Sequence, residues 1–178
     1  DNARAEAWAD SDETHKSNWN TYSYRQFALG KDPPGHWNWN EFQLGTLQAG
    51  ELLLDNISVV QNPDGAASQL MQNVNFEGDS VGSAPRKWRV VGNHHGTVIN
   101  DPDNPGNRVV HLRTTGSTEH LSNHVSSTLR RGNSYVQVQT GAEYEISFRA
   151  KWLGGSNQLS TRLYLTRVTG KIVLDVPR

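Results

Sequence analysis

The chain contains no cysteine, which excludes disulfide frameworks, thiolate metal sites and cysteine nucleophiles. It also lacks an excess of charge of either sign. Seventeen Lys+Arg stand against eighteen Asp+Glu, a formal net charge of −1. That balance leaves no electrostatic footprint for nucleic acid or an anionic membrane surface, so neither is an expected partner. Apolar runs stop after a few residues, so no segment is expected to span a membrane as a helix. The HExxH spacing of zinc hydrolases, the G-x-S-x-G elbow and the phosphate-binding loop are all missing. A chain that opens on Asp1 is expected to be a processed product, an excised piece or an incompletely known sequence, and its first residues show no leader pattern.

What is present reads as β-structure. Tyr22, Tyr24 and Phe27 sit in a Ser/Thr-bearing stretch that ends at Gly30, which predicts a strand. Asp32-Pro33-Pro34-Gly35 predicts a turn. Trp37, Trp39, Phe42, Leu44 and Leu47 alternate with one slip near Glu41, as a β-bulge would require. Glu51 to Gln61, ELLLDNISVVQ, predicts a strand. Leu70 to Phe76 predicts a short one and Gly78 to Pro85 a loop. Trp88 to Val91 and Thr97 to Ile99 predict short strands around an exposed turn from Gly92 to Gly96. Asp101 to Asn107 predicts a loop, and Arg108 to Thr115, Asn123 to Leu129 and Ser134 to Thr140 predict strands.

Glu143 to Trp152 is the clearest of all. Tyr144, Ile146, Phe148, Ala150 and Trp152 fall on one face, with charged or polar residues on the other, a half-buried strand by its period of two. Gln158 to Val168 and Lys171 to Val176 follow. About ten short strands separated by turn signals, without a helical period, predict an all-β antiparallel sandwich. A high strand number without the Cys…Trp…Cys signature favours a jelly roll over an immunoglobulin topology. Residues 1–19 read as a polar N-terminal arm anchored at most by Trp8, and 20–178 as one sandwich. The alternative is the end of one module over 1–62 and most of a second over 66–178.

Six tryptophans are the strongest pointer to function. Planar aromatics match the apolar C–H faces of sugar rings while polar neighbours bind the hydroxyls. Trp37 and Trp39 project to one face if extended, whereas Trp88 and Trp152 read as core. His120 and His124 flank Leu121-Ser122-Asn123, and His94 and His95 lie in the Gly92–Gly96 turn. These four, with Arg149, Arg162 and Tyr164 on the face opposite the core, complete the candidate ligand set. Glu143 and Glu145 share a strand face but lie near Arg149 and Lys151, which would keep both ionised rather than split their roles. The expectation is therefore a protein that is not an enzyme.

Two motifs carry a resemblance. Glu51-Leu52-Leu53-Leu54-Asp55-Asn56-Ile57-Ser58-Val59-Val60 resembles the closing strand of carbohydrate-binding modules of the galactose-binding-like jelly-roll superfamily. Leu70 to Glu77, LMQNVNFE, followed by Trp88, resembles their opening, although Val74 stands where the family usually has glycine. The stretch from Trp88 to about residue 168 looks like repeats in large secreted bacterial proteins of planctomycete type that also carry lamin-tail and spore-coat-kinase-like domains. The closing motif precedes the opening one, as in a circularly permuted sandwich. The resemblance implies a non-catalytic module binding a polysaccharide or glycan in the extracellular space or at the cell surface. The alternative is a structural or adhesive module contacting protein neighbours in an extracellular assembly. It also implies a structural calcium held by Asp55 and Glu77, with Asn75 and Asp79 as further ligands, all hard oxygen donors.

Overall fold

The computed structural model describes residues 18–29, 39–166 and 169–178. Trp8 and the Asp32–Gly35 turn lie outside the described residues. Within them the chain forms thirteen strands and no helix. In chain order these are β1 (Asn20–Phe27), β2 (Glu41–Thr46), β3 (Gly50–Gln61), β4 (Ser68–Gln69), β5 (Arg89–Val91), β6 (His94–Asp101) and β7 (Asn104–Thr114). They continue with β8 (His124–Thr128), β9 (Arg130–Arg131), β10 (Ser134–Tyr135), β11 (Glu143–Gly155), β12 (Gln158–Tyr164) and β13 (Ile172–Asp175). One large sheet has the order β1-β11-β3-β7-β6, with β4 added beside β3, a second has the order β13-β12-β2-β8-β5, and β9 and β10 form a two-stranded sheet of their own. Every strand pairing is antiparallel, and the two large sheets pack as the expected all-β sandwich.

The two orders run in step. β11 and β12, β3 and β2, β7 and β8, and β6 and β5 hold corresponding places, and each couple is consecutive in the chain. The backbone therefore passes repeatedly from one sheet to the other. β2 lies between β12 and β8, and β3 between β11 and β7, so both central strands come from before the Asn62 turn and their neighbours from after it.

The core follows the alternation. β11 sends Tyr144, Ile146, Phe148 and Ala150 inward, where they meet Phe42 and Leu44 of β2, Leu159 and Leu163 of β12 and Val125 of β8. Each such fully buried large side chain contributes roughly 1.5–3 kcal/mol. β3 changes phase within its length: Leu52 and Leu54 face the core, and then Ile57 and Val59. The switch is a bulge. Two steps on β11, from Ser147 to Arg149, oppose three on β3, from Ser58 to Asp55, and Asn56 adopts a φ of 51°. Asparagine tolerates that left-handed conformation better than other non-glycine residues. The slip expected near Glu41 is thus absent from β2, which begins at Glu41, and the bulge sits in β3.

Three further expectations are corrected. Leu70 to Phe76 is not a strand: Asn73 and Phe76 take φ of 52° and 58°, which breaks any ladder. Leu70 still donates to Val59 O at 2.8 Å, and Val74 O accepts from Ile57 N–H at 3.0 Å. Of Ser134 to Thr140 only Ser134 and Tyr135 are in a strand. Asp101 and Asn104 pair across a tight turn, so the predicted 101–107 loop is mostly the tip of the β6–β7 hairpin.

Asn40 closes the fold just before β2. It is 1% exposed. Its amide nitrogen donates to Leu165 O at 2.7 Å and Tyr164 O at 3.2 Å, and its amide oxygen accepts from Val138 N–H at 2.7 Å. The segment before β11 is thereby tied to the end of β12. Asn40→Ala leaves these backbone groups unpaired in a dry site and is expected to lower the free energy of unfolding by about 3 kcal/mol. Urea denaturation measures this directly, and a loss under about 1 kcal/mol would show that water replaces the side chain.

Candidate functional site

The outward face of the second sheet carries an open cleft. On β12, Ser160, Arg162 and Tyr164 alternate with the inward Leu159, Thr161 and Leu163. Register sets Arg162 beside Gln43 and Tyr164 beside Glu41 of β2. The loop from Thr115 to Asn123 lies across this face, and Lys171 flanks it at the approach to β13. The cleft so formed measures about 210 Å³, with Gln43 and Ser160 on its floor and Thr118, Glu119, His120, Arg162 and Lys171 around it. The His120 ring packs on the Tyr164 ring at 5.4 Å, and the Arg162 guanidinium lies 4.8 Å above the same tyrosine.

The loop is clamped. Thr118 N–H donates to Thr46 O at 2.6 Å, and Glu119 and Asn123 exchange backbone hydrogen bonds of 2.8 and 3.2 Å. Gln43 donates from its amide to His120 O at 3.0 Å and to Glu41 Oε1 at 2.8 Å. Glu119 accepts from Ser122 Oγ at 2.6 Å and from the Leu121 N–H, which holds its carboxyl below the usual range. Gly92 closes the neighbouring turn at φ 69°, and a side chain there would run into Ser122 O and Asn123 Oδ1.

Of the residues expected to bind ligand, His120, Arg162 and Tyr164 meet here. The others do not. Arg149 belongs to β11 of the opposite sheet and points outward there, so it cannot share a face with Arg162 and Tyr164. Its guanidinium stacks 4.6 Å over Trp19, and Trp19 donates to Asp101 Oδ1 at 3.3 Å. His95 is exposed on β6 of that same sheet. Trp39 is half-buried before β2, and Trp37 lies outside the described residues. Trp88 is in the core as expected.

His94 and His124 are not on an exposed turn or a solvated face, because β6 starts at His94 and the turn spans only Gly92 and Asn93. Both are buried, His94 to 1%. Thr46 N–H donates to His94 Nε2 at 3.2 Å, so that nitrogen is the acceptor, and Nδ1 lies 2.6 Å from Asn93 Oδ1. A proton on Nε2 would face the Thr46 N–H. Burial, and the neighbouring His124 and His95, push the His94 pKa down to about 4. Gly45 is needed here too: a Cβ would come within 2.7 Å of His94 Nε2 and closer to Thr118.

Asp55 and Glu77 are neighbours, close enough that the Glu77 charge adds to the burial that raises the Asp55 pKa. Asp55 Oδ2 accepts from Asn107 Nδ2 at 3.0 Å and Arg149 Nη1 at 3.3 Å, and Oδ1 from Asn56 N–H at 2.8 Å. Glu77 Oε1 accepts from Arg108 N–H at 2.8 Å. Asp79 is turned to Arg86 and Asn73. Among the described residues no group of three or more His, Asp or Glu could hold a metal. Glu143 and Glu145 are both within ion-pair reach of Arg25, at 4.0 and 2.8 Å.

Gln43, Ser160, Thr118 and Lys171 were missed by the sequence reading. Their outward positions follow from counting along β2 and β12, but only the pairing of those strands brings them together. No family model, no curated protein and no solved structure matches the chain.

Two outcomes follow. In the unfolded chain His94 gains a proton near pH 6.5, and in the fold only near pH 4. The stability it contributes is therefore present above pH 6.5 and lost as pH falls towards 4, by about 3 kcal/mol in all. His94→Gln keeps an acceptor for Thr46 and should flatten that part of the pH–stability curve; an unchanged slope would exclude His94 as its source. Asp55→Ala strands the Asn107 amide and the Asn56 N–H and is expected to cost about 2 kcal/mol. The loss should be equal in calcium and in chelator, and a loss seen only with calcium would place the ion at this site.

Proposed function

We propose that the protein is a non-catalytic carbohydrate-binding module of a secreted or cell-surface protein, and that the cleft on β2 and β12 is its sugar site. The observation that carries the reading is the combination in one cleft of the His120 ring, backed by Tyr164, with the amide oxygen of Gln43 and the hydroxyl of Ser160. Rings offer contact to sugar C–H faces, and the polar floor offers hydrogen bonds to hydroxyls. The likeness of the Glu51–Val60 and Leu70–Glu77 segments to carbohydrate-binding modules of the jelly-roll type supports the same reading. At about 210 Å³ the cleft is smaller than the ~300–1,000 Å³ usual for drug-sized ligands. That suits one sugar residue or a chain end rather than a long stretch of polymer.

A second reading, assembly with protein neighbours, has one observation in its favour. Phe27 and Leu29 are 56% and 70% exposed at the end of β1, an edge strand of its sheet, and exposed apolar groups on an edge favour pairing with another chain.

A screen against soluble polysaccharides tests both. Binding that falls about tenfold or more in Tyr164→Ala and in His120→Ala, with unchanged melting curves, is the expected outcome. A blank screen together with concentration-dependent association removed by Phe27→Ser would favour assembly.

A further inference from the structure

We infer that the cleft is built for an acidic sugar, one bearing a carboxylate or a sulfate, rather than a neutral one. This rests on the sugar-binding reading above and names the class of ligand. The argument is a charge count around the cleft.

Two carboxylates are close and both are already satisfied. Glu41 accepts from Arg89 Nη2 at 2.6 Å and from the Gln43 amide. Glu119 is turned into its own loop, onto Ser122 and Leu121, with His120 Nδ1 at 3.7 Å, and it leaves one negative charge in the lining against two positive ones. Two cations remain, Arg162 and Lys171, and neither has a carboxylate within 4.0 Å among the described residues. Elsewhere on the two large sheets the pattern differs. Arg25, Arg89, Arg113, Arg149 and Lys151 each have an acidic partner at 3.3 Å or less, and Arg108 on β7, which has none, donates instead to the carbonyls of Glu77 and Asp79. Among the described residues Arg162 and Lys171 have neither kind of partner, and both line the cleft.

The geometry suits an anion on a sugar. Arg162 lies 4.8 Å over the Tyr164 ring and lines the cleft, and guanidinium forks bind oxyanions through two parallel hydrogen bonds. Lys171 adds a second positive charge to the lining. The ring of the ligand would rest near His120 and Tyr164 and its hydroxyls would reach Gln43 and Ser160. A neutral sugar in the same position would cover both cations without neutralising either, an unfavourable desolvation.

Titration calorimetry of the full chain with four polymers tests this: polygalacturonate carries carboxylate only, a sulfated galactan sulfate only, unsulfated galactan neither, and polyglutamate carboxylate without sugar. The expected result is binding of polygalacturonate or of sulfated galactan at least about tenfold tighter than of galactan and of polyglutamate. The preference should weaken with added salt. Arg162→Gln and Lys171→Gln should each reduce it while leaving the melting curve in place. Whichever anionic polymer binds identifies the oxyanion. Equal binding of galactan and the acidic polymers, or preference unchanged in both variants, would overturn the acidic-sugar inference and leave the sugar site standing. Equal binding of polyglutamate would reduce the site to a charge patch, and no binding of any polymer would overturn both readings.

Discussion

Thr46 is bonded on three sides, and the arrangement of the molecule depends on it. Its N–H donates to His94 on β6, its hydroxyl lies 2.6 Å from that of Thr114 on β7, and its carbonyl accepts from Thr118 in the loop over the cleft. Thr114 also accepts from the N–H of Gly50 at 3.0 Å. One residue at the end of β2 thus fixes where the chain leaves one sheet for the other and where the loop sits on the outer face. These groups are buried, and in that setting each is costly to leave unpaired, which makes the knot all-or-none in character. The cleft inherits its shape from a feature of the core.

The two outer faces differ in how they spend their charge. On the first sheet Asp55 meets Arg149, Glu51 meets Arg113 at 3.3 Å, and Asp103 meets Lys151 at 2.7 Å, while Trp19 is covered by Arg149. That face is closed upon itself. On the second sheet the His120 ring, Gln43 and two cations line an open cleft. Contrast between faces of one sandwich is a better guide to a binding site than any single residue type, because both faces share one fold and one solvent.

How much of this the sequence discloses depends on range. The alternation over Glu143 to Trp152 gives β11 and its inward residues, since period two is a local property. The same rule says which residues leave a strand's core face but not which sheet the strand joins. Arg149, Arg162 and Tyr164 looked like one surface for that reason, and only pairing across more than a hundred residues separates them. His94 was read as a turn residue because histidine carries no apolar signal. Its partner Thr46 lies 48 positions away. The bulge at Asn56 was hidden as well: three leucines before it and two valines after it look like one uninterrupted strand, whereas the inward set shifts by a residue halfway.

β1 and β13 hold corresponding places at one margin of the sandwich, beside β11 and β12. Across that margin Tyr24 on β1 reaches Thr161 on β12 at 2.7 Å, and the charge of Asp175 on β13 is felt by Tyr22. The first and last strands of the described residues are therefore neighbours. A short linker joining them would let the backbone be cut open at another surface turn with every strand partnership retained. The same proximity allows the whole unit to be spliced into a surface loop of a host protein as a side-mounted cassette, with the cleft facing away from the point of attachment only if the host leaves the β2–β12 face clear.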